Sequence, residues 1–144
     1  MIGGDGPERR ALEQLAATLG VYERVSFLGY VAPARLPRVL AAADIFCAPA
    51  TYAESFGIVL IEAMASGVPI VAAANAGYAG LLAAHPGNLL VPPGDHRAMA
   101  GALAALLDAP TYRRRLGQRN HLAAGRYAWP VVGQQILDLY QAPA

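Results

Sequence analysis

The chain has 144 residues, of which 56% are hydrophobic and 15% are charged, and its formal net charge is +1. This is the length of a single domain, and the apolar content excludes an intrinsically disordered chain, which cannot offset the entropy of ordering. The balanced charge gives no field that would attract nucleic acid, and because no lysine is present the chain has no Schiff-base or Walker lysine.

The cysteine count, the histidine spacing and the hydropathy pattern exclude further classes of protein and of binding site. Cys47 is the only cysteine, so an internal disulfide and a multi-cysteine metal site are excluded, and we expect it to be a small buried hydrophobe. His85, His96 and His121 lack ligand spacing, which predicts solvated surface histidines and no metal site. No apolar run reaches about 18 residues, and the start of the chain lacks the features of a signal peptide. We therefore expect a cytoplasmic protein.

Short apolar runs alternate with helical periodicity up to about residue 91. Pro7 suits the start of the first helix and Gly20 its left-handed end. The predicted strands are 25–28, 45–47, 69–72 and 88–91, and the predicted helices lie near 7–20, 36–43, 56–66 and 77–84. Continuous apolar strands of this kind are typical of a parallel sheet that is covered on both faces. Met1–Ile2 runs directly into a turn like the tail of a strand, so we expect a piece of a longer chain.

After Pro92 the pattern is helical only. Asp95 can cap a helix that directs Met99, Ala102, Leu103 and Leu106 inward, Pro110 can open a second helix, and Pro130 can open a third. Trp129 is expected to anchor that last helix to the core. Strand–helix units followed by helices predict an α/β fold with a doubly wound parallel sheet over residues 1–144.

The segment Ala50–Pro69 carries the chemistry. Glu54 follows an apolar strand, Ser55–Gly57 opens the next helix, and Glu62 lies inside that helix. Ligands of open α/β sheets bind at the carboxyl ends of strands, where a helix start offers unpaired N–H groups to an anion such as a diphosphate. Ionised carboxylates accept hydrogen bonds, which sugar hydroxyls donate. The pattern therefore indicates a nucleoside diphosphate sugar, with Glu54 and Glu62 on the hydroxyls flanking the diphosphate.

An isolated pair of carboxylates at this spacing is more often a pair of solvated charges. The surroundings argue for a ligand here, because residues 63–68 and the preceding strand are almost fully apolar. A carboxylate among such neighbours needs a partner.

The stretch Glu54-Ser-Phe-Gly-Ile-Val-Leu-Ile-Glu62 resembles the E-x7-E signature of the group 1 glycosyltransferases, also called glycosyltransferase family 4. Further matches in the family's order are Gly4-Asp-Gly-Pro7, Val25–Val31, Leu40-Ala-Ala-Ala-Asp44 and Leu90-Val-Pro-Pro-Gly-Asp95. The resemblance covers nearly the whole chain. Within the family, the segments Glu54–Ala65 and Tyr127–Tyr140 resemble the phosphatidylinositol mannosyltransferases.

The resemblance implies one half of a GT-B fold, a Rossmann-like C-terminal domain that binds the nucleotide sugar. The implied reaction is retaining transfer of a hexose from a GDP- or UDP-sugar to an acceptor hydroxyl, with no metal and no cofactor. It implies that Glu54 is catalytic and contacts the sugar, and that the Phe56, Gly57 and Ile58 N–H groups face the sugar and the diphosphate. It also implies that Glu62 takes the ribose and that the base lies against the turn at Gly29. The implied donor-binding residues are Gly29, Tyr30, Val31, Glu54, Ser55, Phe56, Gly57, Ile58 and Glu62.

The sequence departs from the family in two places. An upstream segment with a diphosphate-binding arginine and lysine is absent, and the family's Gly-Gly-x-x-Glu is replaced by Asn75–Gly80. We therefore expect the chain alone to be inactive, with a missing N-terminal domain as its partner and self-association through uncovered strand edges. Two alternatives stay open, a nucleotide-sugar epimerase and a non-catalytic nucleotide-binding module.

A basic cluster lies near the C-terminal end of the chain. It consists of Arg113–Arg115, Arg119 and Arg126. A solvated helix face is the ordinary interpretation of such a cluster. The other interpretation is peripheral contact with an anionic surface at the inner face of the membrane.

Overall fold

The computed structural model describes residues 1–52 and 54–141. The chain divides into two compact units, residues 1–36 and 37–144. The expectation of one domain over residues 1–144 stays a prediction.

The first unit is a parallel strand pair with one helix. Its elements are β1 (Ile2–Gly3), α1 (Arg9–Thr18), a short 3-10 helix (Tyr22–Arg24) and β2 (Phe27–Gly29), with Ile2 opposite Phe27. The helix begins two residues after the predicted Pro7 and ends, as predicted, near Gly20, whose φ is 68°. The Arg9 guanidinium pairs with Glu13 at 2.9 Å and lies over the Phe27 ring at 5.9 Å.

The helix α2 (Leu36–Ala41) leads into the second unit. There the order is β3 (Phe46–Ala48), α3 (Ile58–Ala65), β4 (Ile70–Ala73), α4 (Ala76–Ala83), β5 (Leu89–Val91), α5 (His96–Leu107), α6 (Pro110–Ala124), a 3-10 helix (Gly125–Tyr127) and α7 (Trp129–Gln141). All the predicted strands and helices after residue 36 are present, with bounds shifted by at most two residues.

The three strands of the second unit form a parallel sheet in the order β3-β4-β5. The central strand β4 is buried along its whole length, and Val71 forms a core cluster with Leu106 and Leu116. Met99 and Leu103 pack against that cluster, as the sequence predicted. Parallel sheets flanked by helices confirm the Rossmann-like α/β expectation. Because the strands are parallel, their carboxyl ends share one edge, where the loops after β3, β4 and β5 lie.

The residues at the starts of three helices explain where these helices begin. Asp95 accepts the Ala98 N–H at 2.9 Å, as predicted, and Pro110 is the first residue of α6. The helix α4 begins after Asn75, whose side chain accepts the Tyr78 N–H at 2.9 Å.

Three expectations about burial were wrong. Cys47 is exposed, on the edge strand β3 of this sheet. Trp129 is 83% exposed, since α7 has no buried residue in the described part of the chain. His85 is 5% exposed, because its ring is enclosed beside Tyr127.

The basic cluster is not uniformly solvated. The Arg113 guanidinium donates to Asp44 at 2.9 Å and to the Leu106 and Leu107 carbonyl groups at 3.1 and 3.0 Å, so it fastens the C-terminal end of α5 to α6. Within residues 1–52 and 54–141, no helix is both long and apolar enough to cross a membrane.

Candidate functional site

The loop between β3 and α3 holds Glu54 against its own backbone. Oε1 of Glu54 accepts the N–H of Gly57 at 3.0 Å and, more weakly, that of Phe56 at 3.4 Å. Gly57 adopts φ 94° and ψ 48°, a left-handed conformation that favours glycine, so α3 begins at Ile58 rather than at the predicted Phe56. The turn therefore fixes a carboxylate at the start of a helix.

This geometry bears on the predicted donors for an anion. Of the N–H groups expected to face the diphosphate, those of Phe56 and Gly57 already donate to the Glu54 carboxylate. The Ser55 and Ile58 side chains that flank them are exposed, Ile58 by 65%. A ligand anion can therefore use the Phe56 and Gly57 N–H groups only if Glu54 moves, and their contact with a ligand stays a prediction.

The first turn of α4, the helix that follows strand β4, packs against this loop. A Cβ added to Gly77 would lie 2.6 Å from the Glu54 carbonyl oxygen and 2.8 Å from the Phe56 nitrogen. Asn75, at the N-terminal cap of α4, donates to the Ala50 carbonyl at 2.8 Å. The end of β4 thus holds the loop that follows β3 through both backbone contact and a side-chain hydrogen bond.

Tyr78 completes this contact. It is 3% exposed, and a Cβ on Gly57 would lie 2.9 Å from its ring carbon Cδ1. Burial raises the pKa of the Tyr78 hydroxyl, and the negative charge of Glu54 raises the pKa further. The hydroxyl therefore stays protonated.

Glu62 lies one turn into α3 and is half-buried. It follows Ile58 by four residues, so the two side chains share a face of the helix. Ser66 donates its hydroxyl to the backbone carbonyl of Glu62 at 2.9 Å, but no hydrogen bond or ion pair to the Glu62 carboxylate occurs among the described residues. That carboxylate is available to accept from a ligand.

An aromatic contact supports the other side of the loop. The Phe56 and Tyr127 rings meet edge to face with centroids 6.2 Å apart, and the Tyr127 hydroxyl lies 2.9 Å from Nε2 of His85. Burial lowers the pKa of His85, and the positive charge of Arg126 lowers it further, which favours the neutral imidazole. The loop therefore contacts Tyr127 through Phe56, and Tyr127 contacts the buried His85 near the C-terminal end of α4.

The remaining predicted residues belong to the first unit. Gly29 has φ 62° and accepts the Gly4 N–H at 2.8 Å, Tyr30 is 76% exposed, and Val31 is half-buried beside Gly3. Their contribution to the site that contains Glu54 stays a prediction. Across residues 1–52 and 54–141, no group of three or more His, Cys, Asp and Glu side chains is placed to hold a metal ion.

Sequence reasoning missed several residues that shape the site. Asn75 precedes an apolar helix and is a recognisable N-terminal cap, so it could have been found. Nothing in the pattern indicates that Gly77 and Tyr78 pack on the Glu54 loop, or that His85 meets Tyr127, since these contacts join residues that are distant in the sequence.

Known proteins resemble the chain over its whole length. It is 40% identical over 144 residues to a phosphatidyl-myo-inositol mannosyltransferase of Mycobacterium leprae (strain TN), a match that covers 100% of this chain and 38% of that protein. It is 41% identical over 140 residues to a D-inositol 3-phosphate glycosyltransferase of Nocardia farcinica (strain IFM 10152), covering 96% of this chain and 31% of that protein. The chain thus spans less than two fifths of the length of these relatives.

Solved structures agree with the fold. HepE of Anabaena in complex with UDP-glucose superposes with a TM-score of 0.85 at 28% identity, over 96% of this chain and 39% of that protein. A sucrose-phosphate synthase of Thermosynechococcus elongatus superposes with a TM-score of 0.86 at 34% identity, over 96% of this chain and 36% of that protein. The family model for "Glycosyl transferases group 1" matches residues 1–122. On these grounds the chain belongs to the group 1 glycosyltransferase family.

Proposed function

We propose that the chain binds the nucleoside diphosphate sugar for a retaining glycosyltransferase, which moves a hexose from a GDP- or UDP-sugar to an acceptor hydroxyl. The observation that carries the proposal is the pair of carboxylates at one helix start. Glu54 is fixed by the N–H groups of the turn, while Glu62 lies one turn further along α3 without a side-chain partner in the described part of the chain.

The chemistry of each group suits one part of such a ligand. Carboxylates accept hydrogen bonds from hydroxyls, so Glu54 suits the transferred sugar and Glu62 suits the ribose. The start of α3 suits the diphosphate between them, because its remaining N–H groups and its dipole favour an anion. The bound UDP-glucose of the similar HepE structure supports this class of ligand.

Titration calorimetry with UDP and GDP tests the proposal. Wild type should bind at least one of the two nucleotides saturably, and Glu62→Gln should weaken the binding by roughly tenfold or more, because it replaces a charged acceptor of ribose hydroxyls by a neutral amide. Glu23→Gln, an exposed carboxylate in the first unit, serves as the matched control and should bind like wild type. Absence of saturable binding in wild type, or equal affinity of wild type and Glu62→Gln, would contradict the proposal.

A transfer assay addresses the rest of the reaction. The proposed acceptor site lies outside this chain, so we expect no transfer of radiolabelled hexose by the chain alone, either to an added inositol acceptor or to a lipid-linked one. Robust turnover by the chain would show that it holds an acceptor site.

A further inference from the structure

We propose that Tyr127 is a positioning residue that holds the Glu54 loop in its ligand-binding arrangement, and that the buried His85 fixes the Tyr127 ring. The inference rests on the function proposed above, because it assigns the sugar end of the ligand to Glu54. Tyr127 itself acts through Phe56 and does not touch the ligand.

His85 and Tyr127 meet in two ways. Nε2 of His85 lies 2.9 Å from the Tyr127 hydroxyl, which is a hydrogen-bond distance, and the two rings pack edge to face with centroids 5.8 Å apart. Because a hydroxyl can both donate and accept, the pair keeps this hydrogen bond in either neutral tautomer of the imidazole. The two contacts together restrain both the hydroxyl end and the plane of the Tyr127 ring.

His85 is a firm anchor because the protein encloses it. It is 5% exposed, and its carbonyl accepts from the Asn88 side chain at 3.1 Å. Asn88 pairs in turn with the side chain of Asn120, which is 2% exposed, through two hydrogen bonds of 2.9 Å. Buried polar groups are costly unless they are paired, so these bonds favour one arrangement of the network.

Phe56 carries this support into the Glu54 loop. Its ring meets the Tyr127 ring edge to face, with centroids 6.2 Å apart and an interplanar angle of 70°. Its N–H, and that of Gly57 beside it, face Oε1 of Glu54 at 3.4 and 3.0 Å. Phe56 is already 48% exposed, so loss of the Tyr127 ring would remove packing from a loosely enclosed side chain and let the turn sample more conformations.

The helix α4 supports a different part of the same loop. Asn75 donates to the Ala50 carbonyl at 2.8 Å, and Gly77 lies directly against the main chain of Glu54 and Phe56. These contacts restrain the backbone of the loop, whereas Tyr127 supports the Phe56 side chain. The two supports come from different segments of the chain, so each can be removed separately.

This role predicts a split between two ligands. Because Glu54 is assigned to the sugar and Glu62 to the ribose, loss of the Tyr127 ring should weaken binding of a nucleotide sugar more than binding of the free nucleotide. A purely structural role would weaken both equally. The ratio of the two affinities is therefore the readout, and a change in the fraction of folded protein cancels from it.

The experiment is calorimetric titration of wild type, Tyr127→Leu and Tyr127→Phe with UDP-glucose and UDP, and with GDP-mannose and GDP. In Tyr127→Leu the affinity ratio of the preferred nucleotide sugar to its free nucleotide should fall by roughly two- to tenfold, the range for loss of an edge-to-face aromatic contact. Tyr127→Phe keeps the ring but loses the bond to His85, so its ratio should be intermediate. If Tyr127→Leu does not fold, Tyr127→Phe carries the test alone, and its ratio must fall below that of wild type.

Tyr112→Leu is the matched control. It also removes a tyrosine ring and one hydrogen bond, since the Tyr112 hydroxyl donates to the Gly87 carbonyl at 3.3 Å, outside the Glu54 loop. Its affinity ratio should equal that of wild type.

A double substitution tests whether Tyr127 acts through Phe56. Phe56→Leu with Tyr127→Leu should have the same affinity ratio as Phe56→Leu alone, and a further fall would overturn the inference. An unchanged ratio in Tyr127→Leu would overturn it as well, and both results leave the proposed function standing. A wild-type ratio in Tyr127→Phe would overturn the role of His85, and a ratio as low as that of Tyr127→Leu would overturn the role of the ring contact. Failure of wild type to bind any of the four ligands would overturn the proposed function, and this inference with it.

Discussion

Replacement of Gly77 by alanine tests how the Glu54 loop is positioned. The added Cβ would stand 2.6 Å from the Glu54 carbonyl oxygen, and 2.8 Å from both the Phe56 nitrogen and the Ser55 carbonyl carbon. Real contacts of a Cβ essentially never fall below 3.0 Å, so the loop has to move by at least about 0.4 Å. The atoms belong to the backbone and cannot rotate away as a side chain would.

Gly80→Ala provides the matched comparison within α4. A Cβ on Gly80 meets no atom within 4 Å, so this variant should gain up to about 1 kcal/mol in the free energy of unfolding from helix propensity. Gly77→Ala adds the same atom but overpacks the loop, which costs about 1–3 kcal/mol. We therefore expect Gly77→Ala to be less stable than Gly80→Ala by about 1–3 kcal/mol.

Urea denaturation gives the free energies of unfolding, and titration with UDP-glucose gives the effect on the site. Displacement of the loop should weaken binding in Gly77→Ala and leave it unchanged in Gly80→Ala. The reasoning would be refuted if the two variants unfolded with the same free energy and bound UDP-glucose equally well.

Three other predictions concern the core of the second unit. Gly117→Ala should lower the stability of the fold strongly, because its Cβ would clash with the Gly67 carbonyl where α6 crosses the end of α3. Gly133→Ala is the control, because a Cβ there meets no atom within 4 Å, and thermal unfolding should distinguish the two variants. Asn120→Ala should cost about 1–3 kcal/mol, since the buried Asn120 amide donates to the Val68 carbonyl at 2.9 Å and its loss leaves that group unpaired; equal stability in urea would contradict this. Because the pKa of His85 is lowered in the folded chain, the unfolded chain binds a proton at this residue more readily. The stability due to His85 is therefore complete above pH 6.5 and is lost as the pH falls through the folded pKa. In His85→Gln the free energy of unfolding should change less with pH between neutral pH and about pH 5.

The order of strands and helices could be predicted because each element is specified by a local pattern. Asp95 and Pro110 stand at the starts of their helices, and the apolar run Ile70–Ala73 is the buried central strand. Prediction failed where burial depends on neighbours distant in the chain. Trp129 is a large apolar residue of the kind that usually packs in a core, but it lies on a helix with no buried residue in the described range.

The candidate site was predictable in composition but only partly in geometry. The pattern identified Glu54 and Glu62, because they flank a helix start after an apolar strand. The family resemblance assigned the Phe56 and Gly57 N–H groups to a ligand, whereas Glu54 accepts from them in the structure. Whether that carboxylate meets its own turn depends on the left-handed Gly57 and on the packing of α4, and neither can be derived from spacing.

The central claim is that the turn from Glu54 to Ile58 and the side chain of Glu62 form one nucleotide-sugar site. The most direct measurement is a two-dimensional NMR titration of the labelled chain that follows its backbone N–H signals as UDP-glucose is added. We predict saturable shifts of the Phe56, Gly57 and Ile58 N–H signals, together with those around Glu62. Saturable shifts confined to other parts of the chain, or no shift at any ligand concentration, would contradict the claim.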